Sequence, residues 1–427
     1  MDKKEKALKI IYTLRDNGYQ SYFAGGMARD MVMGKELKDY DIVTDASEID
    51  VQRLFPHTVP VGAQFGIVLV IIDGEGFETA RFRGRDIQED VLLRDFTING
   101  LIFDPVENKI IDLVHGQEDI NNKIIRTIGE PVKRFEEDPL RVLRAVRFAV
   151  NLGFSIEGET YNGIKMMAKT INMEHPTGRK VSPERVRDEI IKIMTGPNPG
   201  QGFMLLDEVG LLIEILPEVV KMKGVKQPEE FHPEGDVWTH TKLMMAHLKN
   251  PPLTLALGCL FHDIGKPLTY ELKDRIRFHN HNTVGAKMTR EIMGRLKFPN
   301  DDIDRVSACV ENHMNFINAV QMKKSTLRRL IMRETFKDEI ELHRLDCMVS
   351  HKDLSIYEFM MAEYNKYLSE PVKPKPLLNG DDLLNMGIPQ GPVIGKILRE
   401  IEDLQLEDMI KTKEEAIEHV RQKGLKY

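Results

Sequence analysis

The chain has 427 residues, 41% apolar and 30% charged, enough for two to four domains of ordinary size, which excludes a peptide or a small binding module. No stretch approaches the roughly 18 uncharged apolar residues of a membrane span, and the polar start Met1-Asp-Lys-Lys-Glu5 lacks the apolar centre of a signal peptide, so a cytoplasmic protein is expected. Cys259, Cys309 and Cys347 are too few and too far apart for a disulfide scaffold or a thiolate zinc cluster, and a net charge of −7 announces no global affinity for nucleic acid.

The first 30 residues read as a helix carrying Ala7, Ile10, Ile11 and Leu14, a strand Ser21-Tyr-Phe-Ala24, the pair Gly25-Gly26 and a second helix from Met27. Further strands are expected at 41–43, 66–73, 77–82 and 101–106. After Arg126 the strand signals fade. Helical periodicity then predicts helices over 135–151, 158–172, 183–195, 199–214, 239–248, 252–263, 283–296, 300–312, 324–335, 337–349, 354–369, 379–386 and 391–404. The fold class is therefore α+β, a mixed-sheet head followed by an all-α remainder. Ser182 before Pro183 is a helix start, and Gly153 and Gly196 fall where helices should stop. Pro371-Val-Lys-Pro-Lys-Pro376 is a stiff linker before a last small module.

Gly25-Gly26, after a strand and before a helix, lets backbone N–H groups approach phosphate closely. Asp39 and Asp41, at i and i+2 on one predicted strand, project to one face and suit oxygen-seeking ions such as Mg²⁺ against a triphosphate. From Lys123 to Phe148, seven Lys or Arg stand against four acids, a local basic excess beside this chemistry.

Phe23-Ala-Gly-Gly-Met-Ala-Arg-Asp30 with Asp39-Tyr-Asp-Ile-Val-Thr44 resembles the first motif of tRNA nucleotidyltransferases and bacterial poly(A) polymerases, in the DNA polymerase β superfamily. Arg94-Asp-Phe-Thr-Ile-Asn99 resembles the second. Arg134-Phe-Glu-Glu-Asp-Pro-Leu-Arg-Val-Leu-Arg-Ala-Val-Arg-Phe148 resembles the template and neck motifs, and Ser182-Pro-Glu-Arg-Val-Arg-Asp-Glu189 the one that follows. Four motifs in order make the sequence similar to a class II tRNA nucleotidyltransferase, with the likeness reaching the C-terminus. The resemblance implies that Asp39 and Asp41 hold Mg²⁺ and are catalytic, and that Gly25, Gly26, Arg29, Arg94, Asp95 and Asn99 bind nucleotide, Asp95 sensing the ribose. It implies tRNA as partner and CTP, with or without ATP, as substrate. Glu78, on a later strand, is either a supporting acid or simply a surface residue.

Glu137-Asp138-x-x-Arg141 carries its own chemistry. Asp138 and Arg141, at i and i+3 of one predicted helix, can present an acceptor and a donor fork to a base edge, with Arg144 and Arg147 continuing the helix toward phosphate or ion-pair partners. One departure bears on the product. The residues between Phe77 and Phe96 are roughly fifteen shorter than in family members that add the whole CCA end, so a flexible loop is missing, and Leu93 replaces an arginine of the second motif. Such a deletion resembles the CC-adding enzymes, which would leave the terminal adenosine to a separate A-adding enzyme.

Histidines crowd the second half: His232, His240, His247, His262, His279, His281, His313 and His343. Gly258-Cys-Leu-Phe-His-Asp-Ile-Gly-Lys266 resembles the HD-domain motif. The resemblance assigns His240, His262, Asp263 and Asp346 to a divalent transition-metal site, with His281 and His313 as further ligands for a second ion or for phosphate. It implies hydrolysis of phosphomonoesters or 2′,3′-cyclic phosphates. His247, His279, His343 and His351 read as packing or surface. The tail, Leu378 to Leu398, is similar to the family's tRNA-binding tail, with Gly391 and Gly395 allowing close backbone approach. The expected divisions are a nucleotidyltransferase head at 1–125, a helical neck with the template helix at 126–222, an HD domain at 223–370 and the tail at 371–427. Three other readings remain: a complete CCA-adding enzyme using CTP and ATP, an HD phosphohydrolase whose head only binds nucleotide, and a noncatalytic RNA-binding protein.

Overall fold

The structure is a computed structural model that describes all residues except 38, 62–65, 176, 177, 229, 231, 370–374 and 424–427; the expected linker at 371–376 lies largely outside the described residues. It divides into Met1–Pro217 and Glu218–Tyr427. No described helix is long and apolar enough to cross a membrane.

The first unit opens with the helix Lys3–Asp16, capped by Asp2 in a reciprocal capping box with Glu5 and burying Ala7, Ile10, Ile11 and Leu14 as the spacing predicts. It lies beside a seven-stranded sheet of order β3-β4-β5-β2-β1-β6-β7. The strands are β1 (Ser21–Ala24), β2 (Ile42–Thr44), β3 (Thr58–Val61), β4 (Ile67–Ile72), β5 (Glu75–Arg81), β6 (Ile102–Asp104) and β7 (Lys109–Ile111). Within this sheet the described pairings are antiparallel except that of β2 and β5, which pair in parallel, Ile42 facing Thr79. That pairing sets Glu78 next to the chain that leads into β2. Two strands escaped the sequence reading: β7 is three residues long, and β3 carries Pro60, which its edge position tolerates.

The expected mixed-sheet head followed by helical regions is the observed architecture, with local corrections. The helix expected over 135–151 is two, Pro131–Glu137 and Arg141–Leu152. Pro139 has no N–H and disfavours helical geometry in Asp138, which is extended at φ −140°. The helix expected over 199–214 breaks at Gly210, and that over 158–172 ends in a 3₁₀ segment, Ala168–Asn172. The remainder is not wholly helical: Ile124–Ile125 pairs with Ser155–Ile156, Glu174–His175 with Gly178–Arg179, and Tyr270–Leu272 with Ile276–Phe278. Gly153 ends its helix at φ 68°, Ser182 caps a later one, Pro183–Met194, through Arg185 N–H, and that helix stops with Thr195 as its cap and Gly196 directly after it.

In the second unit the buried helix Leu253–Phe261 packs against Val237–Ala246, Asn300–Asn312 and Phe336–Val349. Gly265, just past it, is in close contact with the helix His281–Arg295: a Cβ there would lie 2.1 Å from the His281 carbonyl oxygen. The C-terminal helices Gly380–Asn385, Pro392–Leu406 and Lys413–Lys423, the last unpredicted, share their own core of Leu383, Ile397, Ile401, Ala416 and Val420. The helix Lys324–Ile331 meets this tail through ion pairs: Arg329 with Glu402 (2.7 Å) and Asp403, Arg328 with Asp408 (3.3 Å) and Lys324 with Asp408.

Gly265→Ala should destabilise the second unit by about 1–3 kcal/mol, read as a lower thermal midpoint, because backbone must move to admit the methyl. Gly294→Ala, in a helix with nothing within 4 Å of the new Cβ, should be neutral or stabilising by up to about 1 kcal/mol.

Candidate functional site

In the head, β1 ends at Ala24 and the chain turns at Gly25, whose φ of 66° and ψ of −125° favour glycine and whose Cβ position lies 3.3 Å from Arg94 Nη1 and 3.9 Å from Asp41 Oδ2. Asp39 and Asp41 are not on a strand: β2 begins at Ile42, and both lie in the approach to it. Ala24 N–H donates to the Asp41 carbonyl at 3.0 Å, which fixes that approach against β1. A cleft of about 840 Å³ is lined by Gly26, Arg29, Asp39, Asp41, Glu78 and Lys3, among others. Burial, followed by the charges of Glu78 and Asp39, raises the Asp41 carboxyl to about 6. Asp39 is exposed and pairs with Lys3 Nζ at 3.2 Å. Crowded carboxylates with only oxygen donors fit a hard divalent cation such as Mg²⁺, whose charge offsets their repulsion.

Around this cleft arginines are held by carboxylates. Arg94 donates through Nε and Nη2 to Asp90 Oδ2 at 2.9 and 2.8 Å. Arg29 Nη1 donates to Asn99 Oδ1 at 2.9 Å and its Nε to Asp30. Asp95 is buried. Its Oδ2 accepts from Arg144 Nε at 2.7 Å and its Oδ1 from Asn99 Nδ2 and Phe96 N–H, so both oxygens have protein partners. Burial would raise its carboxyl, but Arg144 and these hydrogen bonds outweigh it and hold it at about 2. Arg147 pairs with buried Glu189 at 2.6 Å and covers the Phe148 ring.

Asp138 and Arg141 do not share a helix face, since Pro139 separates their helices. Asp138 pairs with Arg185 at 2.8 Å. Arg141 Nη1 donates to Glu137 and to the Arg134 carbonyl, each at 3.0 Å, and its Nη2 to the Leu93 carbonyl at 3.1 Å. Arg134 Nη2 donates to the next carbonyl, Arg94, at 2.6 Å. The template arginines thus clamp the backbone of the second motif. Arg185 and Asp90 were not singled out from sequence; Arg185 lies within the fourth motif and was legible there, whereas Asp90 had no signal.

In the second unit all six predicted ligands converge. His240 Nε2 lies 3.1 Å from Asp346 Oδ1, His262 Nε2 3.1 Å from Asp263 Oδ2, and His281 Nε2 3.2 Å from His313 Nε2 and 3.5 Å from Asp263 Oδ1. His240, His262 and Asp346 form one group of potential ligands, and Asp263, His281 and His313 another. The other ring nitrogens are occupied: Nδ1 of His262, His281 and His313 faces the carbonyls of Cys259, Phe278 and Val310, and His240 Nδ1 meets Glu234 Oε1 at 2.6 Å. A carbonyl at Nδ1 fixes the proton there and leaves the Nε2 lone pair for a metal. Buried His240 Nε2, His262 Nε2 and Asp263 Oδ2 have no aligned hydrogen bond although they crowd together, which is what atoms converging on a cation present. Burial disfavours charge on both His240 and His313; Asp346 and Glu234 nevertheless raise His240 to about 9, while His313, beside His262 and His281, falls to about 3. The donor set fits a divalent transition metal.

Sequence reasoning missed Glu234, which also meets His232 at 2.9 Å, and Lys266, which pairs with Asp263 at 2.7 Å and donates to Gln227. Lys266 stands three residues after Asp263 and was legible; the loop carrying Glu234 has no periodic signal. His247 and His279 are exposed, and His343 packs its ring against Phe316. A cleft of about 980 Å³ opens on this centre, lined by Lys266, Arg277, Phe278 and Ile317 among others.

Fold and site together define a nucleotidyltransferase head followed by a helical part bearing an HD-type metal centre. The family model of the poly A polymerase head domain matches residues 21–126, that of the probable RNA- and SrmB-binding site of polymerase A residues 153–222, and that of the HD domain residues 236–349. The CCA-adding enzyme of Lactobacillus helveticus is 30% identical over 437 residues, covering 97% of this chain and 95% of that protein. The CC-adding tRNA nucleotidyltransferase of Thermus thermophilus is 29% identical over 421 residues, covering 95% and 93%. The solved structure of the Bacillus stearothermophilus CCA-adding enzyme in complex with CTP superposes with a TM-score of 0.73 at 25% identity, covering 100% of both chains. The chain belongs to the family of CCA-adding enzymes, class II tRNA nucleotidyltransferases with an HD domain.

Asp95→Asn tests the buried pair. A carboxyl lowered to about 2 in the folded state contributes stability that is full above its ordinary value near 4 and lost as pH falls through 2. The variant should be about 2 kcal/mol less stable than the parent at pH 7, and the difference should shrink below pH 4 in denaturant titrations.

Proposed function

We propose that the protein extends the 3′ end of tRNA from CTP, adds two cytidines and stops, and that its HD centre hydrolyses phosphoesters at RNA ends. The carrying observation is the connection from β5 to the second motif: after Arg81 it runs through one short helix, Ile87–Leu92, to Arg94 and Asp95, leaving no room for a mobile loop that would retune the base pocket from cytosine to adenine. The Thermus relative named as CC-adding supports this reading. Full CCA addition with CTP and ATP is the second reading, favoured by the name of the Lactobacillus relative.

Asp39 and Asp41 hold Mg²⁺, which when bound neutralises the triphosphate and activates the primer 3′-hydroxyl. Glu78 keeps Asp41 dependent on that cation. Gly25 and Gly26 leave space for phosphate, and Arg29, Arg94 and Asn99 orient the nucleotide. Asp95 acts on the ribose through Asn99 and Arg144, which it positions. Asp138 accepts from the exocyclic amine of the base and Arg141 donates to its ring acceptors; Arg185 and Glu137 are their partners until nucleotide takes over. Arg144 and Arg147 keep the helix in register. The head, neck, HD domain and tail keep the divisions at 125, 222 and 370, and the tail grips tRNA phosphates.

At the HD centre His240, His262, Asp263 and Asp346 hold a transition metal that, when bound, supplies an activated water; His281 and His313 with Asp263 hold a second ion or the phosphate.

A tRNA transcript lacking its CCA end, incubated with Mg²⁺, CTP and ATP and resolved at single-nucleotide length, tests the product. Two added residues that stall despite ATP support CC addition and call for a separate A-adding enzyme; three establish full CCA addition; none overturns both. Asp39→Ala with Asp41→Ala should lower addition by at least about 10³-fold. His262→Ala with Asp263→Ala should abolish metal-dependent phosphatase activity and the bound transition metal while addition persists; a parent without phosphatase activity removes the hydrolase reading.

A further inference from the structure

The connection that replaces the loop carries a charge that no role above uses. Arg83 lies two residues past the end of β5. Its N–H donates to Asp90 Oδ1 at 3.0 Å, while Oδ2 of the same carboxylate receives the Arg94 guanidinium at 2.8 Å. One buried carboxylate therefore sets the backbone of Arg83 and the side chain of Arg94 side by side. The turn that follows is closely packed: a Cβ on Gly84 would lie 2.3 Å from Glu89 Cβ, Asp86 caps the helix Ile87–Leu92, and Arg85 is tied to Glu89 through Nε at 2.7 Å. Arg83 thus leaves a fixed piece of backbone.

Its guanidinium is different from its neighbours. Arg29, Arg94, Arg134, Arg141, Arg144 and Arg147 each meet a carboxylate within hydrogen-bond distance. Arg83 is exposed and, among the described residues, its side chain has neither an ion pair nor a hydrogen bond. Burial of part of the side chain, followed by the like charge of Arg94, lowers its pKa; Asp90 and Asp95 oppose this, and Arg141 adds a smaller repulsion. A guanidinium held among like charges without a carboxylate of its own is stabilised by an incoming anion, and its planar fork matches two phosphate oxygens.

We infer that Arg83 is a phosphate-binding residue of the nucleotidyl-transfer site, supplied by the short connection itself and binding either the triphosphate of the incoming nucleotide or the terminal phosphodiester of the primer. The inference rests on the nucleotidyl-transfer reading and deepens it. Arg83 lies in none of the four motifs described above, and Leu93, directly before Arg94, carries no charge.

The experiment compares Arg83→Ala and Arg83→Lys with the full-length parent, measuring KM for CTP at saturating tRNA lacking CCA, and KM for that tRNA at saturating CTP. Loss of a charge-assisted fork should raise one KM about tenfold or more in Arg83→Ala, with partial recovery in Arg83→Lys, which keeps the charge without the fork. A rise confined to CTP assigns the triphosphate; a rise confined to tRNA assigns the primer phosphate; either supports the inference. Circular dichroism should be unchanged and the thermal midpoint should not fall, because among the described residues the side chain makes no ion pair or hydrogen bond that the substitution would break. Both KM values within twofold of an active parent overturn the role of Arg83 alone, whereas a parent that adds no nucleotide overturns the nucleotidyl-transfer reading and the inference with it.

Discussion

Asp95 is a carboxylate taken out of water, and it keeps its charge because Arg144, Asn99 and the Phe96 amide reach it. The organisation of the head follows from that pairing. It links the second motif to the helix Arg141–Leu152, and the same helix sends Arg141 back to the Leu93 carbonyl while Arg134 takes that of Arg94. A buried guanidinium offers five donors in one plane, so a single side chain can hold both a carboxylate and a carbonyl in fixed geometry. Strand, turn and helix are thereby positioned by polar contacts that lose value if any partner is removed.

The second unit uses the opposite economy of charge. Three of its histidines, His262, His281 and His313, are fixed by backbone carbonyls at Nδ1 and the fourth, His240, by the Glu234 carboxylate, so Nε2 atoms from four separate segments face one another. Close approach of Gly265 to the His281 carbonyl makes this possible, since it lets the segment after His262 and Asp263 lie directly against the segment bearing His281. Ligand geometry here is a property of backbone packing.

Much of this could be read from residue order. The helix Lys3–Asp16 and the strands β1, β4 and β5 have clear periodicity, and Asp39, Asp41 and the six metal-centre residues stand in motifs whose chemistry is local. The misses share a cause, which is that they depend on tertiary placement. Pro139 was visible, yet the strong helical pattern on both sides concealed the break it makes and so the separation of Asp138 from Arg141. Asp95 was expected to sense the ribose; its ion pair with Arg144, 49 positions downstream, had no signal in the sequence. Glu234 lies in a loop without pattern, and its contact with His240 is a matter of how that loop folds back.

The tail meets the helix Lys324–Ile331 through arginine, lysine and carboxylate side chains while keeping its own apolar core. These two kinds of contact respond to solution conditions in opposite ways: salts that strengthen apolar burial also screen exposed charge pairs. Such salts therefore loosen the seam while tightening the core. The C-terminal module is a body whose internal stiffness and whose hold on its neighbour are set independently, and a polyanion presenting phosphates to Arg328, Arg329 and Lys324 competes with the module's own acids for the same cations.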